Sequence, residues 1–309
     1  MSRRRWNTES IEQEPAQRLA RPAAGQRRLF VVLPAWNEEA CIRPLLLAIM
    51  HELSQESSFE PLLVVVDDGS RDRTAAEADA ASAEWHRSRI RAGSPAGERM
   101  PLTVLHHEVN QGLGAALRTG ITWVLRWGGD GDVLVTLDAD GTHPPSLIPR
   151  LAHALSAGFD LAIASRYRRG SKIQGVPAYR RLISDLSRIL LQGLFPLRGV
   201  RDYTCCFRAY RVGLLRRARA LHGENLWASQ GFETVMDLLL RLRPLHPRVV
   251  ELPLDLHYEV RAGRSKMNVG RTIKSSLALV ARRFMKTDEP SAERPESGSQ
   301  PSHAIRHVR

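Results

Sequence analysis

The stretch Leu134–Pro145 reads LVTLDADGTHPP and changes character in its middle. An apolar run from Val133 to Leu137 ends abruptly in Asp138-Ala139-Asp140. A short apolar run that is bounded by turn residues predicts a buried strand of a parallel sheet. Ligands of such sheets bind beyond the carboxyl ends of the strands, where side chains two residues apart point the same way. Asp138 and Asp140 are therefore candidates for holding a hard divalent cation, with a solvated acidic turn as the alternative.

Short apolar runs of the same kind recur on both sides of this stretch. Each is followed by polar or turn residues and then by a helical pattern, which predicts a mostly parallel, Rossmann-like sheet flanked by helices. We expect further strands at Leu29–Leu33, Leu62–Val66, Leu102–His106, Leu161–Ala164 and Val249–Leu256. The segment Asp202–Tyr210 is interpreted as a strand or loop that crosses the carboxyl edge of this sheet.

The two ends of the chain differ from this central α/β domain, which we assign to residues 29–257. Residues 1–28 are polar without a period and residues 287–309 are rich in Pro, Ser and Glu, so we predict disordered tails. Residues 258–286 are expected to form a basic loop and a C-terminal amphipathic helix. The N-terminal tail has no apolar signal segment, and no stretch of the chain reaches the roughly 20 apolar residues that span a bilayer.

The chain carries an excess of positive charge, with 45 Lys and Arg against 33 Asp and Glu. The stretch Arg166–Arg219 alone contains 14 basic residues and 2 acidic ones, which indicates an anionic partner. Nucleic acid is not the expected partner, because no basic stripe interleaved with aromatic residues and no known binding module occurs. The three cysteines, at positions 41, 205 and 206, are too few for a disulfide framework or a zinc site, so we expect a reducing, cytoplasmic setting.

Seven motifs follow one another between residues 29 and 275: VVLPAWNEE, VVVDDGSRDRT, NQGLGAALRTG, LDADGTHPP, ASRY, RDYTCCFRAYR and RAGRSKM. In this order they resemble the family 2 glycosyltransferases, and among them the polyprenyl-phosphate (dolichol-phosphate) mannose synthases. The resemblance implies a GT-A fold, a nucleotide-sugar donor, a Mg²⁺ or Mn²⁺ ion, and transfer with inversion. It implies a hexose transfer to polyprenyl phosphate, with GDP-mannose as the first donor and a UDP-hexose as the alternative.

The resemblance also implies roles for the residues that match the family motifs. Contacts with the nucleotide-sugar are implied for Pro34, Ala35, Asn37 and Glu39, for Asp67 and Asp68, for Gly112 and Gly114, and for Asp138, Ala139 and Asp140. The implied metal ligands are Asp138, Asp140 and Thr142, the last standing where many relatives carry Gln. The catalytic candidates are Asp140, Arg166, Asp202, Arg264 and Lys266. Without the resemblance, the two carboxylates that follow the second strand would be interpreted as a solvated turn, and the late basic pair as a solvated charge run.

The acceptor decides whether a general base is needed. A lipid phosphate is already anionic at neutral pH, whereas a hydroxyl acceptor needs a carboxylate to take its proton, for which Asp202 and Glu233 are the candidates. The basic stretch favours the phosphate, while the apolar stripe of Leu182–Leu194 is equally consistent with core packing and with membrane contact. The basic amphipathic end, Thr272–Lys286, suits an anionic leaflet. We therefore expect a peripheral enzyme on the cytoplasmic membrane face, with transfer to a glycan or small-molecule hydroxyl, or nucleotide binding without catalysis, as alternatives.

Overall fold

The structure is a computed structural model that describes residues 26–92, 100–175, 178–229, 231–257 and 269–285. Its strands are β1 (Arg27–Ala35), β2 (Phe59–Asp67), β3 (Leu102–His106), β4 (Val133–Thr136), β5 (Leu161–Ser165), β6 (Lys172–Gln174), β7 (Arg208–Arg211), β8 (Val249–Pro253) and β9 (Asp255–His257). Its α-helices are α1 (Glu39–Ser54), α2 (Thr74–Arg91), α3 (Leu113–Trp127), α4 (Leu147–Ser156), α5 (Ala178–Leu194), α6 (Val212–His222), α7 (Thr234–Leu242) and α8 (Val269–Met285).

A seven-stranded sheet in the order β3-β2-β1-β4-β7-β5-β8 organises this part of the chain. The strand β1 runs parallel to both β2 and β4, with Val32 opposite Thr136. The strand β7 runs antiparallel between β4 and β5, and β5 is again parallel to β8. The prediction of a mostly parallel sheet flanked by helices is therefore confirmed, and the segment around residue 208 proves to contain the antiparallel strand.

The sheet is covered on both faces, which explains why its strands are continuous apolar runs. In β1 the side chains of Leu29, Val31 and Leu33 pack with α1, α2 and α4, while those of Phe30 and Val32 pack with α3, α6 and α7 on the other face. All five side chains are fully buried. Burial of each such side chain stabilises the fold by roughly 1.5–3 kcal/mol.

Two predicted boundaries are wrong. The strand β1 begins at Arg27, inside the predicted tail 1–28, because Arg28 donates its backbone N–H to Asp132 and its guanidinium to the Trp127 carbonyl. The predicted strand Val249–Leu256 is divided into β8 and β9, and β9 pairs in parallel with β6 in a separate two-stranded sheet. The strand β6 has only three residues and no apolar run, so no pattern in the sequence predicts it.

The two amphipathic helices combine core packing with exposed apolar residues. On α5 the side chain of Leu191 is buried in the core, whereas Leu186, Ile189 and Leu190 are exposed. On α8 the side chain of Leu279 is buried, and Arg283 donates to Asp237 of α7 at 2.6 Å. Thus α8 is anchored to the domain through part of its basic face. None of the helices in the described ranges is long and apolar enough to cross a membrane.

Candidate functional site

The carboxyl edge of the sheet collects most of the residues singled out in the sequence. The loops that follow β1, β2, β3, β4 and β5 all leave this edge, because these strands are parallel. The antiparallel strand β7 starts at the same edge, so the segment just before it also belongs there. The polar residues at this edge are Asn37, Asp67, Asp68, His107, Asp138, Asp140, Arg166 and Asp202.

The first two loops are tied to each other through Asn37. Its backbone N–H donates to the Ser70 hydroxyl at 2.9 Å, and its side-chain oxygen accepts the Arg71 N–H at 2.8 Å. Glu39 likewise accepts the Arg73 N–H at 3.0 Å. Asn37 has a positive φ of 54°, a region that Asn tolerates better than most residues. Asn37 and Glu39, for which the resemblance implies contacts with the nucleotide-sugar, are therefore held in place by the loop that follows β2.

The Asp68 carboxylate makes hydrogen bonds within the protein. Its two carboxylate oxygens accept the backbone N–H groups of Gln111 and Gly112, at 2.9 and 2.7 Å. The His107 Nδ1 lies 2.6 Å from the same carboxylate, and the His107 Nε2 lies 2.9 Å from the Thr119 hydroxyl of α3. Asp68 thus positions the glycine loop, and its contact with a base or ribose stays a prediction, as does that of Asp67.

Replacing Asp68 with asparagine is expected to destabilise the fold by about 1–3 kcal/mol, because the amide NH₂ would face a backbone N–H that then lacks an acceptor. The free energy of unfolding in urea measures this change. The control is Asp79→Asn, which removes an exposed carboxylate from α2 and should change that free energy little. Equal unfolding free energies in the two variants would contradict the positioning role.

Asp138 and Asp140 lie directly after β4, as the sequence predicts. The Asp140 carboxylate is buried, and its Oδ1 accepts both the backbone N–H and the hydroxyl of Thr142, at 3.1 and 2.7 Å. Gly141, between them, has a φ of +76° that favours glycine in this tight turn. The hydroxyl that donates to Asp140 keeps its own lone pairs, so Asp140 and Thr142, with Asp138 two residues before Asp140, offer a set of oxygen donors at this edge.

This donor set fits a hard divalent cation. Mg²⁺ is commonly held by one or two carboxylates together with the phosphates of a substrate. Within the described residues no group of three or more His, Cys, Asp or Glu side chains is placed to hold a metal. Among the described residues, the Thr142 hydroxyl is the candidate for a further ligand of an ion on Asp138 and Asp140, and water or a diphosphate would supply others. His143 is buried beside this set against the Phe207 ring, with centroids 5.2 Å apart, and its Nδ1 makes no hydrogen bond to the described residues.

Arg166 and Asp202 form a bidentate ion pair next to this donor set. The Arg166 Nε and Nη2 donate to the two oxygens of Asp202 at 2.8 and 2.7 Å, and Nη2 also donates to the Thr204 hydroxyl at 2.6 Å. Asp202 is fully buried, whereas the Arg166 side chain keeps 23% of its surface exposed. The Arg166 Nη1 makes no hydrogen bond to the described residues.

The ion pair sets the protonation of both partners. Burial favours the neutral form of Asp202, but the charge and hydrogen bonds of Arg166 outweigh it and lower the pKa of Asp202 to about 2. Burial also opposes the charge of Arg166, yet Asp202 raises the pKa of the guanidinium above its ordinary value. A carboxylate that is held in this way is a poor proton acceptor. The role of Asp202 as a general base stays a prediction that this geometry disfavours.

Cys205 and Cys206 lie beside this pair and do not act as thiolates. Burial raises the pKa of Cys205 to about 12, and burial together with the Asp138 carboxylate raises that of Cys206. The Cys206 carbonyl accepts the Thr136 hydroxyl at 2.7 Å, which ties this segment to β4. These contacts indicate a structural role for the two cysteines.

The remaining candidates differ in how far the structure describes them. Glu233 accepts a hydrogen bond on each of its oxygens, from the Gly231 N–H at 3.2 Å and from the Ser275 hydroxyl at 2.9 Å. Arg264 and Lys266 lie outside the described residues. Sequence reasoning missed the bridging role of His107, although its position directly after β3 already places it at the carboxyl edge.

Comparisons with known proteins agree with this arrangement. The family model described as glycosyl transferase family 2 matches residues 30–219. A polyprenol monophosphomannose synthase of Mycolicibacterium smegmatis is 34% identical over 82% of this chain and 86% of its own length. An undecaprenyl-phosphate mannosyltransferase of Micrococcus luteus is 34% identical over 79% of this chain and 88% of its own length.

Solved structures give the same architecture. The crystal structure of glucosyl-3-phosphoglycerate synthase from Mycobacterium tuberculosis in complex with phosphoglyceric acid matches with a TM-score of 0.55 and 24% identity, over 85% of this chain and 81% of that one. A structure of the same synthase contains Mn²⁺, uridine diphosphate and phosphoglyceric acid, and matches with a TM-score of 0.52 and 23% identity, over 84% and 76% of the two chains. At this identity the likeness concerns the fold alone.

Proposed function

The chain belongs to glycosyl transferase family 2, and we propose that it transfers a hexose, with mannose from GDP-mannose as the first candidate, to a polyprenyl phosphate. It is a glycosyltransferase with the GT-A fold, as the sequence predicted. Both relatives named above carry mannosyltransferase or mannose synthase in their names, together with a polyprenyl phosphate or polyprenol. We propose the same type of donor and acceptor for this chain.

The observation that carries the proposal is the state of Asp202. The carboxylate that a hydroxyl acceptor would need as a base is buried, paired with Arg166 and has a pKa of about 2. Glu233, the other candidate, accepts hydrogen bonds on both of its oxygens. An acceptor that is already an anion needs neither group, and a lipid phosphate meets that condition.

Arg166 is suited to an anionic acceptor or to the diphosphate of the donor. Asp202 and Thr204 fix its Nε and Nη2, while Nη1 makes no hydrogen bond to the described residues. A guanidinium that is held in one orientation loses little entropy when it binds a phosphate oxygen. The pair therefore supports a phosphate-binding role for Arg166 and a positioning role for Asp202.

Asp138, Asp140 and Thr142 would hold a Mg²⁺ or Mn²⁺ ion, which supplies positive charge that stabilises a leaving nucleoside diphosphate. The loops after β1 and β2, joined through Asn37 and Ser70, would hold the nucleotide. Asp68 keeps the Gly112 backbone in place, so that the start of α3 stays close to the donor. Inversion then follows from direct attack of the acceptor oxygen on the anomeric carbon.

The exposed face of α5 supports an acceptor that is taken from a membrane surface. Leu186, Ile189 and Leu190 follow one another at helical spacing and are all exposed, while Leu191 and Ser184 face the protein. Such a face lies in an interface when basic residues flank it. We propose that the enzyme is peripheral and reaches the lipid phosphate from the cytoplasmic leaflet.

A transfer assay with radiolabelled donors tests the proposal. The purified protein is incubated with Mg²⁺ or Mn²⁺, polyprenyl phosphate and, in turn, GDP-mannose, UDP-glucose and UDP-N-acetylglucosamine, and the products are extracted into organic solvent. We expect label from GDP-mannose in the organic phase, and loss of that label when the metal is chelated.

The assay also separates the alternatives. If label from a UDP-sugar enters the organic phase instead, polyprenyl phosphate is the acceptor and that UDP-sugar is the donor. Metal-dependent release of nucleoside diphosphate without organic label would move the acceptor to a hydroxyl compound. That last result would contradict the argument from Asp202.

A further inference from the structure

A pocket lined by basic residues lies away from the carboxyl edge of the sheet. It is a cavity of about 730 Å³ whose lining includes Arg198, Arg243, His246 and Arg248. Among the described residues that line it, none carries a carboxylate. The three arginines form no ion pair with Asp or Glu within the described ranges. Three arginine charges that line one pocket without a carboxylate in its lining favour the binding of an anion.

The pocket lies at the opposite end of the sheet from the candidate active site. Val249, which lines it, begins β8 and pairs with Leu161 at the start of β5. The other end of this strand pair joins Pro253 to Ser165, the residue before Arg166. Four residues of extended strand span about 13 Å, so the two sites are separate.

Two turns give the pocket fixed walls. The Val200 N–H donates to the Leu197 carbonyl at 3.1 Å, and the His246 N–H donates to the Arg243 carbonyl at 3.0 Å. His246 adopts a left-handed backbone with a φ of 47°, and Gly199 has a φ of +86°. A Cβ at Gly199 would lie 2.7 Å from the Val249 carbonyl oxygen, so the first turn is packed directly against the strand.

One of the exposed basic side chains packs on an aromatic ring. The Arg248 guanidinium carbon lies 5.6 Å from the centre of the Phe159 ring, and its backbone N–H donates to Asp160 at 3.0 Å. The Asp160 carboxylate lies 3.8 Å from Arg211, so its charge is balanced outside the cavity. Pro196 and Leu197 contribute further apolar surface to the lining of the pocket. The cavity therefore combines forked cationic donors with a surface for an organic group.

We propose that this pocket binds an organic phosphate, with the phosphate on the arginines and the organic part on the apolar wall. Guanidinium groups match phosphate oxygens in a bidentate geometry, and the volume falls within the range of small-molecule sites. The phosphate could belong to a soluble phosphoester or to the headgroup of an anionic lipid. The lining arginines are exposed, which leaves the pocket open to a soluble ligand. The pocket also begins two residues after α5, whose exposed apolar face suits a membrane surface. This binding is independent of the sugar donor and of the acceptor.

Titration calorimetry of the full chain with phenyl phosphate tests the site, with chelator present to exclude metal-dependent binding. The pocket variant carries Arg198→Gln, Arg243→Gln and Arg248→Gln. The control carries Arg87→Gln, Arg91→Gln and Arg150→Gln, which removes the same charge from exposed positions on α2 and α4. We expect at least tenfold weaker binding in the pocket variant and less than twofold change in the control. Equal affinities in the two variants would overturn the proposal.

The source of the phosphate is decided with vesicles of phosphatidylglycerol and phosphatidylcholine. Loss of vesicle association in the pocket variant alone would assign a lipid headgroup. Weaker phenyl phosphate binding, with vesicle association equal in both variants, would assign a soluble phosphoester. If the triple variant has a lowered melting temperature, the single exposed change Arg243→Gln replaces it, with an expected affinity loss of at least threefold.

Discussion

Sugar transfer is expected to fall by about 10²–10³-fold when Asp140 is replaced with asparagine, because a preorganised charge at the leaving diphosphate is then lost. The amide keeps the size of the side chain and can still accept from Thr142, so the local turn should survive. The loss is therefore expected in the rate and in metal affinity, with little change in the melting temperature. The measurements are initial transfer rates and Mn²⁺ binding followed by electron paramagnetic resonance.

The matched control for this change is Asp79→Asn, since it also removes one carboxylate but from the exposed side of α2. Its transfer rate and Mn²⁺ affinity should equal those of the unaltered protein. An Asp140→Asn protein that transfers sugar at the unaltered rate, with unaltered Mn²⁺ affinity, would show that Asp140 belongs to a solvated turn. That was the plain alternative for an Asp-x-Asp sequence.

The sequence was sufficient to predict the parallel strands and their edge. Runs such as Leu29–Leu33 are buried on both faces and therefore show no alternation, and turn residues mark where each run ends. The same reasoning placed Asp138 and Asp140 beyond the end of a strand, whereas Arg166 was a candidate through the resemblance to the family. The strand β7 was ambiguous, since it pairs antiparallel with two strands that lie far away in the sequence.

The sequence did not predict which polar side chains pair with each other. Asp68 and His107 are 39 residues apart, and Arg166 and Asp202 are 36 residues apart, so their pairing depends on the completed fold. From the sequence, Asp202 was a candidate general base and Asp68 a candidate contact of the nucleotide-sugar, with no partner visible for either. In the folded chain Asp202 pairs with the Arg166 cation, and Asp68 accepts two backbone N–H groups. Periodicity records which face is buried but not which polar groups meet there.

Breaking the Arg166–Asp202 pair is expected to have the largest effect on stability. Asp202→Ala leaves the Arg166 cation without its partner and removes the acceptor of the Thr204 and Cys205 N–H groups. Removal of one member of a buried pair costs about 3–5 kcal/mol. The unfolding free energy in urea measures this loss. The control is Asp185→Asn, which breaks the partly exposed pair with Arg188 at 3.9 Å and should cost at most about 1 kcal/mol.

The pH dependence of unfolding gives the same prediction an independent readout. The pKa of Asp202 is lowered from 3.8 to about 2 on folding, so the unfolded chain binds its proton first as the pH falls. The stability from this group is therefore fully present above about pH 5 and is lost as the pH falls through 3.8 towards 2. Asp202→Ala should flatten that part of the profile, whereas Asp185→Asn should leave it unchanged. An Asp202→Ala protein with the unaltered profile would mean that Asp202 does not carry the buried charge that fixes Arg166.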